Sequence, residues 1–110
     1  MLLARVVGTV VSSKKEQSME GLRFMLVQPV DAEMKPTGAH VVAVDAVGAG
    51  VGEYILFATG SSARQTLMTD KRPCDAVIMA IVDNWEVRGE MKYHKGTEES
   101  KHRQSEWKGA

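Results

Sequence analysis

The sequence predicts an all-β domain: a small five-stranded barrel with one short helix, assembling with further subunits. Three observations carry this reading. Short runs rich in Val, Ile, Leu and Thr recur along the chain between turns bearing Gly, Pro or Asp. Within 1–95 only one short segment, 61–67, changes to a helix-compatible pattern. Several of the strand-like runs are apolar on both faces, which is more apolar surface than one small barrel interior takes up. At 110 residues the chain supports a single domain and a single core.

The elements follow in order. Residues 2–13 form the first strand, with Leu2, Ala4, Val6, Gly8 and Val10 on an apolar face and Leu3, Arg5, Val7, Thr9 and Val11 on a mixed one. Gly8, in mid-strand, permits a bend or a close backbone approach. The polar run 14–20 is a loop. Residues 21–30 form the second strand; Leu22, Phe24 and Leu26 share one face, Met25 and Val27 the other. Pro29 donates no ladder hydrogen bond, so that end lies at an edge or a bulge. A turn at 31–39 leads to the third strand, 40–46, and a glycine-rich turn leads to the fourth, 54–60. At 61–67, SSARQTL, two serines can cap the short helix. After a loop at 68–75 comes the last strong strand, 76–87, and 88–95 continues as a short ribbon past Gly89. The barrel domain thus spans 1–95, and 96–110 is a polar tail whose one large apolar residue is Trp107.

Five short strands with a helix after the fourth point to a closed or half-closed barrel of OB-like form. Its inward positions account for one apolar face of each strand. In the last strand Ile78, Ala80 and Val82 oppose Val77, Met79 and Ile81, so both faces are apolar. Little chain is left to cover the outside, and another subunit is the expected cover; a two-layer sandwich that hides both faces within one chain is the other solution.

Composition narrows the function. Lys plus Arg is 14 and Asp plus Glu is 14, giving zero formal net charge, which argues against a chain built to hold nucleic acid. No apolar run approaches the roughly 20 residues of a membrane span, and the N-terminus does not read as a secretory leader. Cys74 is the only cysteine, so neither an internal disulfide nor a multi-cysteine metal site is available. His40, His94 and His102 lack metal-ligand spacing. No cofactor is expected.

Two segments invite a chemical reading. Gly48-Ala49-Gly50-Val51-Gly52-Glu53 has G-x-G-x-G spacing and precedes a strand, whereas a dinucleotide fingerprint needs G-x-G-x-x-G opening a helix. The glycines read instead as a tight turn that allows positive φ and close approach where chains converge. Gly60-Ser61-Ser62-Ala63-Arg64 is not a nucleophile elbow, and His40 and Asp45, five residues apart on one strand, project to opposite faces, which breaks any triad with Ser61 or Ser62. Arg64 is expected to pair with a carboxylate, Asp45 or Glu53. The residues therefore describe an assembling barrel and no enzyme. The alternative is an OB-type binding module for single-stranded nucleic acid or a small ligand, which needs a basic, aromatic groove that this chain lacks.

Taken in order, the segments ARVVGTVVSSKK, GLRFMLVQPVD, VAVDAVGAGVGE, GSSARQ and DAVIMAIVD resemble the bacterial microcompartment vertex proteins of the EutN and CcmL type, from Leu3 to about Val87. The resemblance implies an OB-like barrel that forms homopentamers. These cap the corners of a polyhedral shell, whose facets are hexagonal tiles of unrelated shell proteins, in the bacterial cytoplasm. It implies a structural role without catalysis. On this view Gly48, Ala49, Gly50, Gly52, Glu53, Ser61, Ser62 and Arg64 are candidates for the fivefold interface or pore. The tail after about Lys95 falls outside the resemblance.

Overall fold

The structure, a computed structural model, describes residues 1–13, 15–60, 63 and 75–96. Among the described residues seven strands run in order: β1 (Leu2–Val10), β2 (Phe24–Pro29), β3 (Val41–Asp45), β4 (Tyr54–Thr59), β5 (Ala76–Ile81), β6 (Asn84–Val87) and β7 (Glu90–His94). The first five close into a barrel in the spatial order β1-β2-β3-β5-β4. Closure depends on β1. Its first half, Leu2 to Arg5, pairs with β4, and Ala4 to Val10 pairs with β2. One strand serves two neighbours because it bends: the β1–β2 register shifts between Val6 and Gly8, where the sequence placed a glycine. All pairings in the barrel are antiparallel except β3 with β5.

The alternation read from the sequence sorts the side chains. Ala4, Val6, Met25, Val27, Ala43, Ile55, Phe57, Ala76 and Ile78 fill the interior, joined by Ala49 from the glycine turn. The opposite faces of the strands carry two further apolar groups. Leu22, Val44, Ala58, Ala63 and Val77 form one, with Met19, Phe24 and Met79 against it. Val30, Tyr54 and Tyr93 form the other, with Leu3, Met34, Val82 and Trp85.

Here the structure corrects the sequence reading. The expected single strand over 76–87 is two strands, β5 and β6, separated at Val82-Asp83. β6 does not continue the barrel. It pairs with β7 in a separate two-stranded hairpin that turns at Arg88-Gly89, both with positive φ (53° and 83°). The hairpin lays aromatic rings over the outer face of the barrel. Tyr54 meets Trp85 edge-on at 5.3 Å and Tyr93 at 4.6 Å, and Trp85 stacks on Tyr93 at 5.1 Å. The Trp85 indole donates to the Ala32 carbonyl at 2.9 Å. Part of the outer face is thus covered by the chain itself, where the sequence reading assigned it to another subunit. The loop at 14–20 also contains a single 3-10 turn, Gln17–Met19. Apart from Ala63, the helix expected at 61–67 lies outside the described residues, as does the tail beyond Gly96.

Interior and exposed apolar positions respond differently to truncation. Ile78→Ala, at a fully buried site, lowers stability by about 2–5 kcal/mol. Met91→Ala, on the open side of β7, changes it by less than about 0.5 kcal/mol. Urea unfolding of both variants at one protein concentration checks the contrast.

Candidate functional site: the glycine turn

The turn between β3 and β4 is fixed by side chains from both of its ends. Asp45 ends β3, and its side chain is buried beneath the turn. Its Oδ1 accepts from the backbone N–H groups of Val47 (3.0 Å), Gly48 (3.0 Å) and Ala49 (3.1 Å). This is the local behaviour of an aspartate at the head of a turn, where its short side chain reaches the amides two to four residues on. The Oδ2 atom accepts from Arg23 Nη1 at 2.9 Å. A carboxylate out of water needs such partners, because an unpaired buried charge costs several kcal/mol.

The other end of the turn has its own anchors. Arg5, only 3% exposed, donates from Nε to the Gly52 carbonyl at 3.1 Å, and its guanidinium lies 5.2 Å from the centre of the Tyr54 ring. Val6 exchanges backbone hydrogen bonds with this end, accepting from Gly52 N–H at 2.8 Å and donating to the Glu53 carbonyl at 2.9 Å. Glu53 Oε1 accepts from Gly50 N–H at 2.6 Å, and Oε2 accepts from Lys95 Nζ at 2.6 Å. Burial works against ionisation of Glu53. The Lys95 contact and the Gly50 amide outweigh it and hold the carboxyl below the ordinary glutamate range.

The candidate residues fall into distinct positions. Gly48 and Gly52 have φ of 81° and 96°, a region that side chains with a Cβ avoid. Gly50 does not need that freedom: a Cβ built on it would meet nothing nearer than Glu53 Oε1, at 3.4 Å. Ala49 is turned into the barrel core of its own subunit. Two apolar side chains on the turn stay in the open, Val47 at 41% and Val51 at 59% exposure. Ser61, Ser62 and Arg64 lie outside the described residues, and so does Cys74. Both carboxylates expected as partners of Arg64 already hold other cations, Asp45 with Arg23 and Glu53 with Lys95.

Sequence reasoning missed three residues of this site: Arg5, Arg23 and Lys95. Arg5 had a readable signal, a lone charge between Ala4 and Val6 in an apolar strand. Arg23 and Lys95 had none, since each meets its acid across the fold. Among the described residues no cluster of three or more His, Cys, Asp or Glu is arranged to hold a metal ion. No helix among them is long and apolar enough to cross a membrane.

Comparison with known proteins places this architecture. The profile of the family described as "Ethanolamine utilisation protein EutN/carboxysome" matches residues 1–83. The chain belongs to the EutN/CcmL family of microcompartment shell vertex proteins. Its similarity to the carboxysome shell vertex protein CcmL of Gloeobacter violaceus is 47% identity over 95 residues, covering 86% of this chain and 95% of that one. With EutN of Salmonella typhimurium, a microcompartment shell vertex protein, identity is 37% over 95 residues, covering 86% and 96%. The solved structure of Gloeobacter CcmL superposes with a TM-score of 0.82, covering 86% of this chain and 98% of that chain. GrpN of Rhodospirillum rubrum, a pentameric microcompartment shell protein, superposes with a TM-score of 0.71 at 40% identity, covering 79% and 100%. The all-β barrel and the family expected from the sequence both hold.

Two outcomes follow for the turn. Asp45→Ala removes the acceptor of three turn amides, of which that of Ala49 is buried, and lowers stability by about 1–3 kcal/mol in urea unfolding. For Glu53, a folded-state pKa below the unfolded value means that its contribution is present above the ordinary glutamate range, about 4.3, and is lost as pH falls through the folded value. Glu53→Gln removes that acid-limb dependence, read as a flatter unfolding midpoint against pH below about 5.

Proposed function

We propose that this chain forms a homopentamer that closes a vertex of a bacterial microcompartment shell, and that the glycine turn lies at the contact between neighbouring subunits. The observation that carries the reading is the fit of 79% of the chain to a pentameric shell protein at 40% identity. Physical features of the turn support the placement. Its backbone amides are largely satisfied within the subunit, while Val47 and Val51 are left exposed on it. A rigid loop presenting apolar side chains is suited to a repeated head-to-tail contact, which closes into a ring when the rotation between copies is one-fifth of a turn.

The role is structural in this reading. Asp45 and Glu53, the carboxylates of the turn, are both committed to backbone amides and to a cation, an arrangement that serves shape. Fivefold units supply curvature that a flat sheet of hexagonal tiles lacks, so the ring's outer rim meets such tiles at the shell corner. The unit that does this is 1–95, with 96–110 as an appended tail. The binding-module alternative calls for aromatic side chains offered to a ligand. Here Phe57 is inside the barrel, and Tyr54, Tyr93 and Trp85 pack on one another.

Native mass spectrometry of the purified chain is expected to give a species of about 60 kDa, five times 12.0 kDa; a monomer at micromolar concentration sinks the proposal. Gly50→Val separates the neighbour from the fold. The subunit has room for a Cβ at Gly50, so the variant is expected to keep its β-sheet circular dichroism and lose the pentamer. An intact G50V pentamer removes this glycine from the interface.

A further inference from the structure

The glycine turn is held from three directions, and one of them is the C-terminal hairpin. Asp45 fixes the first half of the turn from beneath. Arg5 holds the Gly52 carbonyl from β1. Gly50, between them, is reached by Glu53, and Glu53 is reached by Lys95, the residue that follows β7. The hairpin end is itself fixed, because the Lys95 amide donates to the Asp83 carbonyl at 2.8 Å. Its body is clamped to the barrel by the Tyr54, Trp85 and Tyr93 rings. A continuous chain of contacts thus runs from the hairpin through one ion pair to a backbone amide in mid-turn.

We propose that Lys95 is a latch: by neutralising and orienting Glu53 it lets the hairpin set the shape of the turn around Gly50, and salt loosens it. The device acts inside one subunit, so it stands or falls separately from the pentamer. Its parts have unequal exposure. The Lys95 side chain is 38% exposed and that of Glu53 20%, so the pair is open to ions, whereas the Asp45 side chain is fully buried. Without the lysine, Glu53 loses its counter-charge, and the Asp45 carboxylate, close enough to repel it, remains. The first half of the turn is held by Asp45, whose own cation is Arg23, and has no contact with Lys95 among those that fix it. The two halves therefore respond differently to one change.

Residue-resolved hydrogen exchange on the whole 110-residue chain tests this, with the native mass of each sample recorded alongside. In Lys95→Met the Gly50 amide is expected to exchange about two- to fivefold faster, as loss of a partly exposed ion pair allows, with Gly48 and Ala49 unchanged. Lys95→Arg, which keeps the charge, restores the slow rate. Raising salt from about 0.01 M to about 1 M, which shortens the screening length from about 30 Å to about 3 Å, speeds Gly50 exchange in the parent chain and does not speed it in Lys95→Met. An unchanged Gly50 rate in Lys95→Met overturns the latch, because the turn then holds its own shape. Equal acceleration across the turn and the barrel overturns it too, because the lysine then acts on global stability. A change in native mass without a Gly50-specific effect places Lys95 in assembly and likewise removes the latch.

Discussion

A buried carboxylate at the end of a barrel strand is the constraint from which the site follows. The turn after β3 contains three glycines in five residues, Gly48 to Gly52, and such a segment loses more conformational entropy on ordering than almost any other. Asp45 offsets that loss by collecting three consecutive amides on one oxygen. It is itself secured by Arg23 and by its place in the β3–β5 ladder, opposite Ile78. The barrel thereby exports its rigidity into a loop that carries no regular secondary structure. Glycine freedom at Gly48 and Gly52 and carboxylate anchoring at Asp45 are complementary: the first permits the path, the second selects it.

The outer faces of the strands show how a small barrel copes with excess apolar surface. Around Tyr54 the chain covers itself, folding β6 and β7 back over β1 and β4. Around Val44 and Val77 the 3-10 turn and Ala63 contribute. Elsewhere the surface stays open, at Leu2, Val42, Val47 and Val51. Scattered apolar residues are ordinary on a monomer. Val47 and Val51 sit on a loop whose amide hydrogen bonds at Val47, Gly48, Ala49 and Gly50 stay within the subunit.

Much of this was legible in the sequence, and the gaps have physical causes. Alternation gave the barrel strands, but where both faces are apolar, as in β2 with Met25 and Val27 against Phe24 and Leu26, it left open which face turns inward. Gly8 marked the bend in β1. The break between β5 and β6 was invisible: Val82-Asp83-Asn84 carries neither Gly nor Pro, and apolar character persists to Val87. What separates the strands is tertiary, the docking of Trp85 on Tyr54 and Tyr93. The turn was found from its glycines, but its scaffolding was not. A charge such as Arg5 in an apolar strand is a signal that something buried awaits it, whereas Lys95 pairs with an acid 42 residues away and leaves no trace in local pattern.

We propose the turn shaped by Asp45 as the surface one subunit offers to the next. The most direct measurement is a density map of the assembled particle at a resolution that shows side chains. The account predicts fivefold symmetry with Val47 and Val51 packed against the neighbouring subunit and removed from solvent. Fivefold particles in which both valines face open solvent would contradict it.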